Sequence, residues 1–431
     1  MDNIAIPALN RPVDAIVEIP GSKSITNRAL LVAALAQGDS ILENALFSED
    51  SQYFAKCLAS LEIPITLNSD LAQIQVSGRG GKIPAAQADL FVGLAGTAAR
   101  FISALVALGN GEYRLDGVPR MRERPMSDLL KVLQTGGATV HFEGNPGFMP
   151  YTILAQQFYG GRFRLKANQT SQQLSALLMI APYAQQDTIV EVEGTLVSQS
   201  YVKMTCRLMA DFGVQVVQAD ENQFQIKAGQ RYQARHYTIE PDASNASYFF
   251  AAAAVTGGRV RVNHLTKQSC QGDILWLNVL EQMGCQINAF DNYTEVTGPK
   301  QLQGINIDMN DMSDLVQTLA AIAPFASSPV TIRNVEHIRY KETERIRAVV
   351  SELRRLGVKV EEFADGLKIE PSQITPAAIE TYHDHRMAMA FAVTGLKVPG
   401  IVIKDPDCTA KTFPDYFTRF FQLLGLNPPC I

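Results

Sequence analysis

Apolar residues recur along the chain in a pattern in which the end of a helix is followed directly by the start of a strand. The pattern reads L-x-x-x-G-x-x-V/I, with glycine suited to the left-handed conformation that closes a helix. The alternating valine and isoleucine positions that follow suit a half-buried strand. Copies recur about every 70–75 residues, and such regular spacing predicts a repeated supersecondary unit. The copies begin at Leu58, Leu133, Met209, Leu280 and Leu353, and a truncated copy begins at Phe421.

Glycine occupies the closing position in every copy except the first, where Glu62 stands. Each unit must hold a helix, several strands and a second helix, which predicts an α/β fold of six similar modules. Three modules per domain is the natural division, with a boundary near residue 240 in the segment YTIEPDASN. The closing glycines are Gly137, Gly213, Gly284, Gly357 and Gly425.

The length and the charge of the chain indicate the number of domains and argue against one class of protein. At 431 residues it is too long for one ordinary core, so two domains are expected. The formal net charge of −5 and the pI near 5.8 argue against a general nucleic-acid binder. A bound polyanion would therefore need positive charge that is concentrated in one cleft.

Cysteine spacing and hydropathy indicate in which cellular compartment the protein is expected. The six cysteines are scattered, without a CxxC or a zinc-like pairing. The start of the chain lacks a basic segment followed by an apolar one, and no apolar run approaches the roughly 20 residues that span a bilayer. We expect a cytoplasmic protein with reduced thiols and no membrane partner.

Two early segments place candidate ligand-binding groups at predicted helix starts. In PGSKSITNRALL, the side chains of Lys23, Ser24 and Arg28 accompany a helix predicted over residues 27–36, and they suit a phosphate cradle. A capped helix with solvated cations explains this segment equally well. In GLAGTAARF, Gly96 lies in a small-residue turn that permits either close approach of a ligand or tight helix packing.

The segment DGVPRMRERPM carries three arginines that alternate with other residues. In an extended stretch, Arg120, Arg122 and Arg124 point one way and offer forked donors to carboxylate or phosphate. A solvated basic face is the alternative explanation. Further along, Thr170, Ser171 and Gln172 precede one apolar helix, and Ser198 and Tyr201 accompany another, as helix caps or as ligand donors.

Acid–base chemistry is indicated in the second half of the chain. Asp314 stands at a predicted helix start, where the helix dipole keeps a carboxylate ionised. The segment RYKETERIR crowds both charge types within about two turns. On a helix, Lys341 and Arg345 share a face while Glu342 faces elsewhere. An exposed helix with surface salt bridges is the alternative.

The segments YHDHRMAMAFAV and DPDCTAKTFPDYF contribute two more cations, Arg386 and Lys411. The triplet His383, Asp384 and His385 predicts a helix start that aims Arg386 into a cleft. A metal site is not expected, because histidines two residues apart do not share a helix face and no third ligand stands out.

Taken together, segments along the whole chain resemble the 5-enolpyruvylshikimate-3-phosphate synthase family of enolpyruvyl transferases. The resemblance implies two domains, each of three βαβαββ units, in an inside-out α/β barrel arrangement. It implies a discontinuous domain of residues 1–20 plus 241–431, an inserted domain of residues 21–240, and an active site in the interdomain cleft. The matching segments, in order, are GSKSITNRALL, GLAGTAARF, RMRERPM, TSQQLSALLMIAP, DASNASYFFAAAA, RYKETERIR, DHRMAMAFA and CTAKTFPDYF.

The resemblance also implies the reaction, which moves the enolpyruvyl group of phosphoenolpyruvate to the 5-hydroxyl of shikimate 3-phosphate and releases phosphate. Asp314 would accept the hydroxyl proton, and Glu342 would protonate the methylene carbon with help from Lys23. Addition would give a tetrahedral intermediate, and loss of phosphate would give the product. No metal or organic cofactor and no nucleic acid is implied, and we expect a monomer.

The family's binding residues carry over by position. Those expected to bind shikimate 3-phosphate are Lys23, Ser24, Arg28, Thr170, Ser171, Gln172, Ser198, Tyr201, Asp314, His337 and Lys341. Those expected to bind phosphoenolpyruvate are Lys23, Gly96, Arg124, Gln172, Arg345, Arg386 and Lys411.

Some positions depart from the family's common pattern. Leu94 and Phe101 replace asparagine and proline in the second segment, Thr170 replaces serine, and His337 replaces asparagine. Glyphosate competes with phosphoenolpyruvate in the family, and the changes at Leu94 and Phe101 leave the response of this chain open.

Two other functions remain open from the sequence. The related transferase that acts on UDP-N-acetylglucosamine commonly uses a cysteine near the RMRER position, and this chain has none there. A non-catalytic module that binds a phosphorylated ligand or RNA on the same scaffold is the second, since one fold hosts many functions. The acidic pI and the pair Asp314 and Glu342 favour the enzyme.

Overall fold

The structure is a computed structural model, and it describes residues 2–426. The end of the sixth repeat copy, Asn427, and Cys430 lie outside the described residues. The chain divides into two compact units, one formed by Met1–Pro20 with Glu240–Ile431 and the other by Gly21–Ile239. We call them the discontinuous unit and the inserted unit.

The described residues form short strands that are grouped in six small sheets. The strands are β1 (Asn3–Ala5), β2 (Asp14–Val17), β3 (Gln37–Glu43), β4 (Ile65–Asn68), β5 (Gln73–Arg79), β6 (Gln87–Phe91), β7 (Asn110–Asp116), β8 (Thr139–Phe142), β9 (Tyr151–Gln156), β10 (Gly161–Lys166), β11 (Thr188–Glu193), β12 (Val217–Asp220), β13 (Gln223–Ile226), β14 (His236–Thr238), β15 (Arg259–Asn263), β16 (Gln286–Ala289), β17 (Tyr293–Thr297), β18 (Asn306–Asp308), β19 (Val330–Arg333), β20 (Val360–Phe363), β21 (Gly366–Ile369), β22 (Ala378–Ile379) and β23 (Val402–Lys404).

Helices alternate with these strands. They are α1 (Lys23–Leu35), α2 (Glu49–Ser60), α3 (Gly96–Val106), α4 (Pro119–Arg122), α5 (Ser127–Thr135), α6 (Gln172–Ile180), α7 (Gln199–Asp211), α8 (Ala243–Thr256), α9 (Trp276–Gln282), α10 (Val316–Ile322), α11 (Arg345–Arg355), α12 (His385–Gly395) and α13 (Tyr416–Leu423). Short 3-10 turns accompany them, and three of these contain candidate site residues: Asn310–Leu315, Glu336–Tyr340 and Pro406–Lys411.

The inserted unit contains three sheets of the same design. Their strand orders are β14-β3-β5-β4, β6-β7-β9-β8 and β10-β11-β13-β12. In each, the first two strands are parallel and the last two form an antiparallel hairpin. A helix connects the parallel strands in the second and third sheets, as parallel pairing requires a crossover.

The discontinuous unit repeats this design. Two sheets have the orders β2-β15-β17-β16 and β18-β19-β21-β20, and the third is β1-β23-β22. In the truncated third sheet, β1 pairs antiparallel with β23, in the position that a hairpin strand holds elsewhere. The predicted α/β fold of repeated βαβαββ units, with a truncated last copy, is confirmed.

Two strands are exchanged between repeats that are far apart in the chain. β2, the first strand of the first repeat, pairs in parallel with β15 of the fourth. β14, the first strand of the fourth repeat, pairs in parallel with β3 of the first. The sequence pattern of each repeat is preserved, but its first strand completes the other repeat's sheet.

Each unit has three helices that are buried on almost every side. They are α1, α3 and α6 in the inserted unit, and α8, α10 and α12 in the discontinuous unit. Their sequences lack a polar face after the first turn, which is the pattern of a helix that is surrounded by other elements. Full burial of a leucine-sized side chain contributes about 1.5–3 kcal/mol, so these helices anchor the two cores. Their N-termini carry about half of the candidate site residues.

The predicted helix-closing positions all have the left-handed backbone. The values of φ are +110° at Gly137, +90° at Gly213, +98° at Gly284, +75° at Gly357 and +71° at Gly425. Glu62 takes the same conformation without being glycine, with φ of 59°. The closing-residue prediction is therefore confirmed, including its exception. Among residues 2–426, no helix is long and apolar enough to cross a membrane.

Candidate functional site

Lys23 is the first residue of α1, and the helix therefore begins earlier than the predicted residue 27. Its side chain is only 13% exposed, and Nζ lies 3.5 Å from Oδ2 of Asp50. Asp50 is buried in the first turn of α2. The sequence indicated Lys23 but not its carboxylate partner, because the two residues come from different elements.

Arg28 lies one turn further along α1, with 1% of its surface exposed. Nε donates to Oγ1 of Thr205 at 2.7 Å, and Nη2 donates to Oγ of Ser175 at 3.3 Å and to the carbonyl of Tyr201 at 3.2 Å. Nη1 donates to the carbonyl of Ser24 at 3.0 Å. Arg28 thereby ties α1 to α6 and α7 through neutral acceptors.

Phe101, one of the departures from the family pattern, has a role in this packing. It is buried within α3, and its ring lies 5.5 Å from Cζ of Arg28. The ring of Tyr201 lies 5.8 Å from the same atom. The guanidinium of Arg28 thus contacts two aromatic side chains as well as its hydrogen-bond acceptors.

The three arginines of RMRER do not point one way, so that prediction is wrong. The stretch is not extended, since residues 119–122 form α4. Nη1 of Arg120 donates to Glu123 at 2.6 Å, and Nη2 of Arg122 donates to Asp116 at 2.9 Å. Arg124 alone is buried. The proline at the first helical position favours this turn over a strand.

Gly96 and Arg124 are in close contact. Gly96 is the first residue of α3, and a Cβ added to it would lie 2.5 Å from Cζ, Nη1 and Nη2 of Arg124. The guanidinium of Arg124 therefore occupies the space that a larger residue at position 96 would take. Glycine at this position is required for the arginine to lie over the N-terminus of the helix, where anions are favoured.

The third buried helix of the inserted unit, α6, begins at Gln172 with Ser171 as its N-cap. Nε2 of Gln172 donates to Oγ1 of Thr97 at 3.2 Å, which links the N-termini of α6 and α3. Oγ1 of Thr170 accepts from the backbone N–H of Gln172 at 3.2 Å. Thr170 thus acts as a local cap, as its alternative explanation held.

Ser198 has an unusual backbone conformation at the start of α7. Its φ is 52° and its ψ is 49°, which places it in the left-handed region. A residue with a Cβ is strained there, and such strain is concentrated at functional sites. Tyr201 follows on the first turn of α7 and faces Arg28.

In the discontinuous unit, Asp314 lies in a 3-10 turn directly before α10. Oδ1 accepts from Nη1 of Arg345 at 2.9 Å, and Oδ2 accepts from Nη2 of Arg386 at 2.6 Å. Nζ of Lys341 lies 3.8 Å from Oδ1. The prediction placed Asp314 at a helix start, and the structure adds that three cations surround it.

Arg345 is the centre of this ion-pair cluster, with 1% of its surface exposed. Nε donates to Oδ2 of Asp384 at 2.7 Å, and Nη2 donates to Oε2 of Glu342 at 2.8 Å. Burial alone would lower the pKa of Arg345, but Asp384, Glu342 and Asp314 raise it above its usual range. The guanidinium is therefore a fixed positive charge.

Lys341 and Glu342 are not on a helix, which corrects the predicted geometry. α11 begins at Arg345, and residues 341–344 lie in an irregular segment before it. Because this segment bends, Glu342 reaches Arg345 while Lys341 reaches Asp314. The two side chains therefore join one cluster, although helical spacing would have separated them.

His337 lies next to this cluster and is buried. Burial lowers its pKa to about 3, and the nearby positive charges of Lys341 and Arg345 add to that effect. Its imidazole is therefore neutral at neutral pH, and it can bind through a hydrogen bond without adding charge.

The triplet at residues 383–385 begins α12 as predicted. Asp384 is the N-cap, and its carboxylate accepts from the backbone N–H of Arg386 at 3.0 Å. Nδ1 of His383 lies 2.6 Å from Oδ2 of Asp405, whereas His385 is buried within the helix. The two histidines diverge, and residues 2–426 contain no group of His, Cys, Asp and Glu that could hold a metal ion.

The remaining cations lie close by in the same unit. Arg386 is buried, and its Nη1 donates to the hydroxyl of Tyr248 at 3.3 Å. Lys411 is buried at the end of the 3-10 turn Pro406–Lys411, which contacts α12. The expected residues of this unit are thus gathered around the N-termini of α10, α11 and α12.

The predicted site residues therefore form two sets, one in each unit. Three partners were missed by the sequence analysis as members of the site: Asp50, Thr97 and Asp384. Asp384 could have been recognised, since it is a typical capping residue shortly before the apolar run that begins at Met387. Asp50 and Thr97 carried no comparable signal.

Comparisons with known proteins place the chain among sequences of similar length. A model of the family described as EPSP synthase (3-phosphoshikimate 1-carboxyvinyltransferase) matches residues 8–420. A 3-phosphoshikimate 1-carboxyvinyltransferase of Nostoc punctiforme is 86% identical over 424 residues, covering 98% of this chain and 100% of that protein. One of Yersinia pestis is 45% identical over 417 residues, covering 96% of this chain and 97% of that protein.

A solved structure is also similar. The EPSP synthase structure from Acinetobacter baumannii superimposes with a TM-score of 0.83 and covers 98% of both chains. Its sequence is 23% identical to this chain, so it supports the fold.

Proposed function

This chain belongs to the EPSP synthase (3-phosphoshikimate 1-carboxyvinyltransferase) family, and on that premise we propose how its residues carry out the transfer. It is a transferase that moves the enolpyruvyl group of phosphoenolpyruvate to the 5-hydroxyl of shikimate 3-phosphate and releases phosphate. The observation that carries the assignment of roles is the sharing of one guanidinium, that of Arg345, by two carboxylates, Asp314 and Glu342.

The shared guanidinium sets the distance between a base and an acid. Asp314 accepts from Nη1 of Arg345 at 2.9 Å, and Glu342 accepts from Nη2 at 2.8 Å. Asp384 fixes the guanidinium from the other side. A base and an acid that are held in register by a rigid group are what a concerted addition across a double bond requires.

In the addition step, Asp314 accepts the proton of the 5-hydroxyl as the oxygen attacks C2 of phosphoenolpyruvate. Glu342, in its protonated form, gives a proton to the methylene carbon, with Lys23 assisting. The product of this step is a tetrahedral intermediate that carries a new C–O bond and a methyl group. General acid–base assistance of this kind contributes about 10²- to 10⁴-fold to a rate.

In the elimination step, the bond from C2 to the phosphate oxygen breaks, and the methyl group returns a proton to the carboxylate of Glu342. The proton on Asp314 passes to the departing phosphate. Both carboxyl groups thereby recover their starting protonation states, and the atoms of both substrates are accounted for.

Phosphoenolpyruvate is held by cations that converge on its phosphate and carboxylate groups. We assign this role to Arg124 and Lys23 with the backbone at Gly96 in the inserted unit, supported by the contact of Arg124 with the start of α3. Gln172 contributes through the amide that Thr97 positions. In the discontinuous unit the role falls to Arg345, Arg386 and Lys411, all of which are buried.

Shikimate 3-phosphate requires donors for its phosphate and acceptors for its hydroxyl groups. We assign the phosphate to Ser171, Ser198 and Thr170 with Lys23, because hydroxyls and backbone N–H groups at helix starts suit an anion. Ser24, Arg28, Gln172 and Tyr201 would complete this side. Asp314, His337 and Lys341 would contact the ring side, and a neutral His337 fits a hydroxyl partner.

We propose that both sets of residues serve one active site, in the interdomain cleft that the family resemblance implies. The inserted set supplies most of the phosphate-binding groups, and the discontinuous set supplies the carboxyl groups for proton transfer. The reaction needs both kinds of group, so neither set suffices. All of these residues belong to one chain, so the proposed site needs no residue from a second copy. We further propose a monomer that acts in the cytoplasm and uses no metal, organic cofactor or nucleic acid.

The function is tested by measuring phosphate release from purified protein with phosphoenolpyruvate and shikimate 3-phosphate, together and singly. We expect release only with both substrates, with an enolpyruvyl product identified by mass. The Lys23→Ala variant should lose most turnover while its circular dichroism spectrum stays unchanged. Release that is supported by UDP-N-acetylglucosamine instead would assign the chain to the related transferase. Binding of shikimate 3-phosphate without any release would indicate a binding module.

A further inference from the structure

Lys341 and Glu342, to which the proposed function gives a binding and a catalytic role, lie in a segment that belongs to no helix or strand. The segment comprises residues 341–344 and lies between the 3-10 turn Glu336–Tyr340 and α11. Irregular backbone does not by itself fix side chains to the precision that proton transfer needs. Some other group must therefore hold this segment in place.

Arg339, which lies just before the segment, makes four hydrogen bonds, one to the end of the segment and three to residues 362–364. Nη1 donates to Oε1 of Glu344 at 2.6 Å and to Oε1 of Glu362 at 3.0 Å. Nη2 donates to the carbonyl of Phe363 at 2.7 Å, and Nε donates to the carbonyl of Ala364 at 2.9 Å. Its side chain is 20% exposed, so these bonds are largely shielded from water.

The hydrogen bond from Arg339 to Glu344 closes a short loop, residues 339–344, that contains Lys341 and Glu342. Arg339 begins the loop, and Glu344 ends it as the N-cap of α11, where Oε2 accepts from the N–H of Arg347 at 2.6 Å. The loop therefore cannot swing without breaking either the cap or the bond to Arg339. Arg345, which follows directly, is oriented by the same helix start.

The other three bonds tie the loop to a rigid part of the sheet. Glu362 and Phe363 belong to β20, which pairs antiparallel with β21, and Ala364 begins the turn between these strands. The backbone before Arg339 contacts the same turn, since the N–H of Val335 donates to the carbonyl of Asp365 at 2.9 Å. The hairpin thus acts as a fixed frame for the loop.

We infer that Arg339 is a positioning residue, which holds Lys341 and Glu342 in register with Asp314 by fastening their loop to the β20–β21 hairpin. The inference rests on the proposed function, because it concerns the roles assigned to Lys341 and Glu342. Arg339 touches none of the reacting groups in this account. The planar guanidinium is essential, because only a forked donor can reach two carboxylates and two carbonyls together.

The test compares Arg339→Lys with Arg355→Lys. Both substitutions keep the positive charge, and Arg355 is a matched control because it pairs with Glu352 at 3.0 Å at the opposite end of α11. We expect Arg339→Lys to lower kcat about tenfold or more, since a displacement of about 1 Å in a catalytic group can cost a hundredfold. The Arg355→Lys variant should keep kcat within about twofold of the wild type.

A second readout separates positioning from loss of folded protein. Lys341 is one of several groups assigned to shikimate 3-phosphate, so in Arg339→Lys the affinity for this substrate without phosphoenolpyruvate, measured by calorimetry, should fall by a smaller factor than kcat does. The stoichiometry of the same titration gives the folded fraction, and kcat is expressed per folded site. A loss of kcat that disappears after this correction would show a merely structural role and overturn the inference.

A second variant carries the test if Arg339→Lys folds poorly. Glu362→Ala removes one partner of Arg339 on a strand of the hairpin, and we expect kcat to fall about threefold. Combined with Arg339→Lys it should add little, because residues that share a network are not additive. Wild-type kcat in both single variants would overturn the inference. Absence of turnover in the wild type itself would instead overturn the proposed function.

Discussion

The two units hold their most deeply buried arginines in different ways. Arg28 in the inserted unit and Arg345 in the discontinuous unit are each 1% exposed. Arg28 donates to the hydroxyls of Thr205 and Ser175 and to backbone carbonyls, whereas Arg345 donates to the carboxylates of Asp384, Asp314 and Glu342. These hydrogen bonds of Arg28 go to neutral acceptors, and those of Arg345 go to negative charges.

The difference separates two uses of a buried cation. Hydrogen bonds to the neutral oxygens of Thr205, Ser175 and Tyr201 orient the guanidinium of Arg28 without themselves cancelling its charge. Weak screening inside a protein strengthens the action of such a charge on an anion. Around Arg345 the carboxylates offset much of the charge, so that the guanidinium fixes the geometry of Asp314 and Glu342 in addition to its proposed contact with phosphoenolpyruvate. The inserted unit is thus suited to binding phosphate, and the discontinuous unit to proton transfer.

Replacing each of the two arginines in turn should give the largest difference between the two units. Arg345→Met removes the shared partner of Asp384, which is buried, and of Asp314 and Glu342, which are mostly shielded from water. We expect the free energy of unfolding to fall by about 3–5 kcal/mol. Arg28→Met leaves neutral acceptors without this donor, and we expect the free energy of unfolding to fall by about 1–3 kcal/mol. Denaturant unfolding followed by circular dichroism measures both. An equal loss in the two variants would show that the acceptors' charge is unimportant.

Gly96→Ala should affect binding in the inserted unit without affecting folding to the same degree. Its Cβ would lie 2.5 Å from the guanidinium of Arg124, so the arginine must move away from the start of α3. The KM for phosphoenolpyruvate should rise about tenfold or more, as expected for a lost charge-assisted hydrogen bond. Gly144→Ala is the control, because no atom lies within 4 Å of its added Cβ. An unchanged KM in Gly96→Ala would contradict this account of Arg124.

His337 should make the stability of the protein depend on pH in the acid range, which an asparagine at this position would not do. Its pKa is about 3 because of burial, whereas an unfolded histidine titrates near pH 6.5. Below that pH the imidazole of His337 is protonated in the unfolded chain but stays neutral in the folded chain. The free energy of unfolding therefore decreases as the pH falls from about 6.5 toward 3. The drop in Tm between neutral pH and about pH 4.5 should therefore be smaller in His337→Asn. Equal drops in both proteins would mean that His337 is not a buried neutral group.

The smallest expected effect concerns the helix-closing positions. The repeats of the discontinuous unit close with glycine, whereas the first repeat of the inserted unit uses Glu62 at φ of 59°. Relief of this strained conformation should let Glu62→Gly raise the free energy of unfolding by about 0.5–1 kcal/mol. Gly357→Ala, at φ of +75°, should lower it by a similar amount. Equal Tm values in Glu62→Gly and the wild type would argue against strain at this position.

Much of the fold could be predicted because each repeat carries its own local signals. The closing glycines and the apolar runs of α1, α3, α8 and α12 are local features, and they specified where helices end. The exchange of β2 and β14 between repeats could not be predicted from the residues alone. Only tertiary pairing decides which sheet each strand completes.

The charged site residues were predictable by type but their partners were not. Arg345 and Asp384 are 39 residues apart, and Arg345 and Asp314 are 31 apart, so no local spacing indicates these pairs. The alternation of Arg120, Arg122 and Arg124 was misleading, because Pro119 starts a helical turn that separates them. Glu342 was misplaced for the same kind of reason, since helical spacing was applied to residues that precede the helix.

The division of roles between the units is tested most directly by measuring kcat and the affinity for shikimate 3-phosphate in Asp314→Asn and Gln172→Ala. Asp314→Asn should lose kcat by about 10²-fold or more while its affinity for shikimate 3-phosphate, by calorimetry, stays within about threefold. Gln172→Ala should show the reverse, with affinity lowered about tenfold and kcat much less affected. Retention of wild-type kcat in Asp314→Asn would contradict the account.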